Sequence, residues 1–89
     1  MAKRTVPLTD LELRNAKARA TPYKLADGGG LYLEVMPSGS KMWRLKYRQL
    51  SGKENRLSFG AYPQVSLNEA RVKRTDARKL IAEGIDPAR

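Results

Sequence analysis

The sequence predicts an α+β domain: a short N-terminal helix, a three-stranded antiparallel meander, and a longer C-terminal helix packed on one face of the sheet. Three observations support this fold class. Helix-capping motifs stand near both ends of the chain, strand-like segments fill its middle, and short turns separate those segments. Because 89 residues can bury only one modest core, we expect a single domain over residues 1–89.

The first helix is predicted to start at a capping box. Thr9 is placed to accept a hydrogen bond from the amide of Glu12, whose carboxylate can reach back to the Thr9 amide. Pro22 disfavours helical backbone in the residue before it, so the helix cannot continue to that point. We expect this helix over residues 10–17.

The second helix is predicted from the same kind of motif. Ser66 and Glu69 have the capping-box spacing. Gly84 is the residue type that commonly follows a helix, and Pro87 forbids its continuation. We therefore expect a helix over residues 67–83, whose apolar residues recur at helical spacing and should pack on the sheet.

Three segments between the helices alternate apolar and polar residues, as half-buried strands do: residues 31–36, 41–49 and 54–59. The short turns between them favour an antiparallel meander. Three consecutive glycines, residues 28–30, precede the first strand and predict a turn with positive φ angles. A phosphate-binding loop is disfavoured there, because a strand rather than a helix follows.

The segment 41–49 has two contrasting faces, because successive side chains of a strand point to opposite sides. Its apolar set faces the core, and its cationic set faces away from it: Trp43, Leu45 and Tyr47 against Arg44, Lys46 and Arg48. Glu34 on the preceding strand is the one expected cross-strand partner for these cations. The strand therefore predicts a hydrophobic core on one side and a polyanion-binding face on the other.

The net charge points in the same direction. The chain carries 18 Lys and Arg against 9 Asp and Glu, or +9, and residues 41–60 alone carry six basic residues against one acidic, or +5. Such an excess predicts a negatively charged partner, most often a nucleic acid. Mixed charge would be the ordinary choice for a passive surface.

We predict that the DNA-contacting residues are cations from four parts of the chain. Those of the sheet face suit base edges or phosphates, those of the long helix suit phosphates, those of the hairpin turns reach the backbone, and those of the N-terminus form a basic arm. They are Arg44, Lys46, Arg48 and Arg56; Arg71, Arg74 and Arg78; Lys41 and Lys53; and Lys3 and Arg4. For the helix and the turns, a solvated surface is an equally good interpretation, and for the arm a disordered terminus is the better one.

The residue types present argue against catalysis. The chain has no histidine and no cysteine, which removes the commonest general base, the commonest transition-metal ligands and any disulfide. Its four tyrosines have no histidine to act with. We expect no active site, no cofactor, no metal and no small-molecule substrate. No apolar run has membrane-spanning length and no signal peptide is evident, so we expect a cytoplasmic protein.

Beyond these physical patterns, a series of motifs spread over nearly the whole chain resembles one known family. The motifs are Leu8-Thr9-Asp10, Asn15-Ala16-Lys17, Tyr23-Lys24-Leu25, Asp27-Gly28-Gly29-Gly30-Leu31-Tyr32-Leu33, Pro37-Ser38-Gly39-Ser40-Lys41, Trp43-Arg44, Tyr47-Arg48, Gly60-Ala61-Tyr62-Pro63, Val65-Ser66-Leu67-Asn68-Glu69-Ala70-Arg71 and Gly84-Ile85-Asp86-Pro87. Together they resemble the N-terminal arm-DNA-binding domain of prophage and genomic-island integrases of the tyrosine recombinase family.

That resemblance implies a specific role. The domain would be non-catalytic and would bind the arm-type sites that flank the crossover site in attachment DNA, with its three-stranded sheet in the major groove. The core-binding and catalytic domains of the full-length integrase would follow Arg89. Other integrase protomers would be possible partners besides double-stranded DNA, and the protein would be bacterial and nucleoid-associated.

Two other function classes remain open from the sequence. A double-stranded RNA-binding module shares the order helix, three strands, helix, but it places lysines where the second helix here begins with Ser66-Leu67-Asn68-Glu69. A basic protein-interaction domain could instead add a partner's strand or dock an acidic surface. Competition between duplex DNA and duplex RNA distinguishes an RNA-binding module from a DNA-binding domain. A protein-interaction domain would bind duplex DNA without sequence preference.

Overall fold

The computed structural model describes residues 7–49 and 51–88 and contains two helices and four strands in that part of the chain. In chain order they are α1 (Asp10–Asn15), β1 (Tyr23–Gly28), β2 (Leu31–Val35), β3 (Lys41–Arg48), β4 (Glu54–Ala61) and α2 (Leu67–Ala82). The four strands form one antiparallel sheet in the order β1-β2-β3-β4. The α+β class predicted from the sequence is confirmed.

The prediction of three strands is wrong, because β1 adds a fourth at the edge of the sheet. β1 pairs with β2 in the register Lys24 opposite Glu34 and Ala26 opposite Tyr32. The chain reverses between the two strands at Gly29 and Gly30, which have φ angles of +61° and +89°. The glycine turn was predicted, but the short segment before it was not interpreted as the other half of a hairpin.

Both predicted helix starts are present, and the helices end slightly early. The Thr9 side chain accepts from the Glu12 amide, but its hydroxyl donates to the Glu12 carboxylate, so the reciprocal bond expected of a capping box is not the one formed. At α2 the capping box of Ser66 and Glu69 is complete. α1 ends at Asn15 instead of residue 17 and α2 at Ala82 instead of residue 83.

The C-terminal end of α2 is closed as the sequence predicts. Gly84 has a φ angle of +80°, its amide donates to the Ile81 carbonyl, and the Ile85 amide donates to the Leu80 carbonyl. These bonds satisfy carbonyls that the helix itself leaves free. Neither helix in the described part of the chain is long and apolar enough to cross a bilayer.

One hydrophobic cluster draws on both helices and all four strands of the sheet. Its most completely buried large side chains are Trp43, Leu13, Leu31, Leu33, Leu45 and Val35. Leu67, Ala70 and Ala77 of α2 belong to the same buried cluster, and Leu57 and Phe59 of β4 pack against it. The Trp43 indole Nε1 donates to the Val65 carbonyl just before α2, at 2.8 Å. The apolar set predicted for residues 41–49 is therefore buried, with Tyr47 only 4% exposed.

Candidate nucleic-acid interface

The sheet has a second face, opposite the buried leucines and Trp43, that we call the outer face. Strand alternation and the observed pairing place eleven residues on it: Lys24, Ala26, Tyr32, Glu34, Met42, Arg44, Lys46, Arg48, Glu54, Arg56 and Ser58. Five of these are cations and two are carboxylates, which leaves an excess of three positive charges. The outer face is therefore the concentrated positive surface that the alternation of residues 41–49 predicts.

Arg44 is held across the sheet by Glu34. Its Nε donates to Glu34 Oε1 at 2.8 Å, and the two side chains are only 26% and 16% exposed. Glu34 lies diagonally across from Arg44, because Tyr32 is the residue opposite Arg44. The cross-strand ion pair expected for Glu34 is thus present, with Arg44 as its partner.

A second carboxylate on the outer face was not recognised as a partner. Glu54 lies 3.8 Å from Lys46 Nζ and 3.3 Å from Arg48 Nη2. The expectation that Glu34 alone could pair with the cations of β3 is therefore wrong. The register Arg48 opposite Glu54 follows from the tight turn that joins β3 to β4. The sequence contains the signal for this pairing, because a short hairpin turn determines which residues of the two strands lie opposite each other.

β1 brings a further cation to the outer face. Lys24 is exposed, and its Nζ lies 5.0 Å from the centre of the Tyr32 ring. Tyr32 is only 7% exposed although it belongs to the outer face, so it forms the floor of a shallow depression. Lys24, Lys46 and Arg56 stand around that depression. Lys24 was missed because its strand was missed.

Arg56 and Lys53 are the predicted contact residues that the structure leaves most available. Arg56 is exposed at the middle of β4, opposite Lys46. Lys53 is exposed in the turn before β4. Within the described residues, neither side chain makes an ion pair or a hydrogen bond. Both are free to meet an anion without first giving up a partner.

Lys41 has a structural environment that the sequence did not indicate. Its Nζ donates to the Leu13 carbonyl at the end of α1, at 2.7 Å, and lies 5.7 Å from the centre of the Tyr62 ring. A lysine head group held in this way ties α1 to β3. Its predicted role at a turn facing DNA stays a prediction.

The arginines of α2 converge on a buried carboxylate at the end of β1. Asp27 is 4% exposed and accepts from the Leu8 amide at 2.8 Å. Arg71 donates to both of its oxygens, at 2.8 and 3.0 Å, and Arg74 donates to one, at 3.0 Å. Arg71 also bonds the Leu8 carbonyl, at 2.9 Å. This cluster joins the start of the described chain, the β1–β2 turn and α2.

The electrostatics of the cluster explain why Asp27 is buried in the charged form. Burial alone would raise the pKa of the Asp27 carboxyl, but hydrogen bonds from Arg71 and the Leu8 amide and the charges of Arg71 and Arg74 outweigh it, so the pKa is lowered. The Asp27 hydrogen bond likewise raises the pKa of Arg71. Two of the three helix arginines predicted to contact phosphate therefore share one carboxylate within the fold.

Arg78 completes the row on α2 by donating to the Gly29 carbonyl at 3.0 Å, and its side chain is exposed. Phosphate contact by Arg71, Arg74 and Arg78 stays a prediction, best suited to Arg78. Lys3 and Arg4, the predicted basic arm, lie outside the described residues.

The outer face presents side chains that can bind an anion. In the described part of the chain no group of three or more Asp or Glu side chains is arranged to hold a metal ion. What the face offers is a row of guanidinium and ammonium donors on a rigid sheet, spaced by a strand rise of about 6.6–6.8 Å for alternate residues. Such a surface can match the phosphates and base edges of a nucleic acid.

Sequence comparison finds a family model and several relatives that match most of this chain. A family model described as the arm DNA-binding domain matches residues 8–89. The chain is 56% identical over 77 residues to an integrase of Enterobacteria phage P4, covering 85% of this chain and 18% of that protein. It is 48% identical over 88 residues to the prophage integrase IntA of Escherichia coli K12, covering 98% and 21%. An integrase of Shigella phage Sf6 is 49% identical over 82 residues, covering 92% and 21%.

The match assigns this chain to a domain family, but it does not assign a function to a longer protein. The chain spans about a fifth of the length of the curated relatives it matches. Each alignment covers most of this chain, and the family model extends across both helices and all four strands. The chain belongs to the family of arm DNA-binding domains found in phage and prophage integrases.

Proposed function

We propose that this chain binds arm-type sites in attachment DNA in a sequence-specific manner, with the outer face of its sheet in the major groove. The observation that supports this most directly is the excess of cations on that face, held on strands whose opposite side is buried in the core. α2 and α1, in this proposal, cover the core side and leave the outer face to the DNA.

The dimensions of the sheet are compatible with this placement. The B-DNA major groove is about 12 Å wide and admits a two-stranded ribbon. Neighbouring strands are about 4.8 Å apart, so β3 can enter the groove with β2 and β4 along its walls. Arg44 and Lys46 would then face base edges, and Lys24 and Arg56 would face the phosphates on either side.

In a longer protein the domain would serve recombination indirectly. The relatives are integrases, and this chain corresponds to a small part of each. We propose that the complete protein is a tyrosine recombinase whose core-binding and catalytic domains act at the crossover site, while this domain holds the flanking arm sites and contacts neighbouring protomers. Counterion release should supply part of the affinity, with about 4–8 phosphates neutralised.

Gel-shift titration of three variants tests the placement of DNA on the outer face. Arg44→Ala and Arg48→Ala should weaken binding to the attachment-site arm sequence by about tenfold or more, because each removes a donor from the proposed interface. Arg19→Ala is the matched control, since Arg19 is exposed but stacks on Tyr23, with its Cζ 4.0 Å from the ring centre. Equal and small losses for all three variants would contradict the proposal.

A further inference from the structure

The three outer-face cations of β3, Arg44, Lys46 and Arg48, are held in two different ways. The Arg44–Glu34 pair is short, at 2.8 Å, and largely shielded from solvent. Lys46 and Arg48 share one carboxylate, that of Glu54, at 3.8 and 3.3 Å, and these three side chains are 53–68% exposed. An exposed pair contributes little to stability and is screened by salt, so it breaks easily when an anion arrives. The Arg44–Glu34 pair is the more rigid feature.

The atoms used in the Arg44–Glu34 pair matter for what Arg44 can still do. Glu34 takes the Nε hydrogen of the guanidinium. A guanidinium has five N–H donors in a fixed plane, so the donors on its Nη atoms stay free when Nε is occupied. Within the described residues no hydrogen bond engages the Nη atoms of Arg44. A pair of parallel donors of this kind matches the O6 and N7 acceptors of guanine.

We infer that Glu34 is a positioning residue that holds the Arg44 guanidinium for bidentate contact with a guanine, so that sequence selectivity depends on a carboxylate in the middle of a DNA-binding face. This rests on the proposed function, because it assumes that the outer face meets the major groove. Glu34 itself need not touch DNA. Its position between Lys24 and Arg44 also keeps it from being a lone negative charge facing the phosphates.

The two carboxylates of the outer face should respond differently to substitution. Removing a carboxylate from a surface that binds a polyanion should tighten binding to any DNA, because it removes a repulsion and raises the net positive charge. Glu54→Gln should do this for cognate and scrambled duplexes alike and leave their affinity ratio nearly unchanged, because the exposed pairs of Glu54 fix neither Lys46 nor Arg48 in one orientation. Glu34→Gln should tighten binding to the scrambled duplex but weaken binding to the cognate one, because a neutral amide oxygen accepts a weaker hydrogen bond from Arg44 Nε and holds the guanidinium less firmly.

The experiment measures both affinities for the wild-type chain and its variants at one salt concentration. The cognate probe is the duplex consensus that the wild-type chain selects from a randomised library, and the second probe is the same composition scrambled. Glu34→Gln should lower the cognate-to-scrambled ratio by about tenfold, the scale of one bidentate arginine–guanine contact. The loss should map to a single G·C pair. A ratio that stays at the wild-type value, as in Glu54→Gln, would overturn the inference.

Two further variants separate the possible causes of a loss. Arg44→Lys retains both the charge and Glu34 but cannot donate bidentately, so it should lose selectivity at the same base pair. In an Arg44→Ala background, Glu34→Gln should cause no further loss of selectivity, because the group it positions is gone. If Arg44→Ala leaves both affinities unchanged, the outer face does not bind DNA and the proposed function fails. If Arg44→Ala weakens cognate binding while Glu34→Gln does not, only the inference fails.

Discussion

Asp27 stabilises the folded state through its buried ion pairs with two arginines. It is a buried carboxylate between two arginines and the Leu8 amide, and burial of a charge is tolerated only when such partners satisfy it. Asp27→Asn should lower the free energy of unfolding by about 3 kcal/mol at neutral pH, because it leaves Arg71 and Arg74 without their anion. Urea titration followed by circular dichroism measures this loss.

The same substitution has a defined pH dependence. The pKa of Asp27 is lower in the folded chain than its ordinary value, so the unfolded state binds a proton first as the pH falls. The stabilisation is therefore complete above about pH 4 and is lost below it, toward the folded pKa. The stability difference between wild type and Asp27→Asn should shrink in that range. Asp76→Asn, at an exposed position of α2, is the control and should change stability little at any pH. A constant difference from pH 7 to pH 2 would contradict this account.

At the residue scale, the sequence pattern predicts the core well and the pairing of the charges poorly. Strand alternation correctly separated Trp43 and Leu45 from Arg44. It could not show that Asp27 is buried, because a carboxylate before three glycines is also an ordinary turn residue. The partners that make burial possible lie 44 and 47 residues away on α2, and only the packed fold brings them together.

At the scale of elements, the hairpin of β1 and β2 is the feature that local patterns missed. β1 has a mixed exposure pattern, with only Asp27 of its six residues buried, so its alternation is weak. Its Gly-Gly turn is nevertheless a known hairpin connection between two strand segments. The strands β2, β3 and β4 were predictable because each has a nearly complete apolar face. The edge strand has fewer residues in the core and therefore leaves a fainter signal.

The glycine turn also couples this hairpin to β3. A Cβ on Gly30 would lie 2.3 Å from the Lys46 carbonyl oxygen, and the Lys46 amide donates to the Gly30 carbonyl at 2.9 Å. Gly30→Ala should therefore lower the free energy of unfolding by about 2–4 kcal/mol, combining the cost of positive φ with that of a backbone clash. Gly39→Ala is the matched control: its φ of +94° is similar to the +89° of Gly30, but nothing lies within 4 Å of its Cβ.

Thermal unfolding of the two glycine variants measures the difference. Gly39→Ala should cost only about 1–2 kcal/mol, the price of the left-handed backbone. If the two variants are equally destabilised, the contact between the β1–β2 turn and β3 does not contribute to stability. Because Lys46 belongs to the outer face, Gly30→Ala should also weaken DNA binding more than Gly39→Ala does.

At the scale of the whole molecule, charge is divided between two tasks. The arginines on α2 that contact Asp27 stabilise the fold, and the cations of the outer face are available to bind DNA. The sequence showed the total excess of +9 but not this division. On the outer face itself, Glu34 and Glu54 pair with the three outer-face cations of β3, whereas Lys24 and Arg56 have no ion-pair partner among the described residues.

The cations without an ion-pair partner are expected to set the salt dependence of DNA binding. Each phosphate neutralised by a cation contributes about −0.9 to the slope of log affinity against log salt concentration. An unpaired cation can bind phosphate without breaking an ion pair, so Lys24→Ala and Arg56→Ala should each make the slope shallower by about 0.9. Lys79→Ala serves as the control, because Lys79 is exposed on the side of α2 away from its buried residues. Fluorescence anisotropy at salt concentrations from about 50 to 200 mM gives the slopes.

If Lys79→Ala changes the slope as much as Lys24→Ala and Arg56→Ala do, the DNA responds to total charge and not to the outer face. A change confined to the two sheet variants would place the phosphate backbone along the strands at both edges of the sheet, β1 and β4.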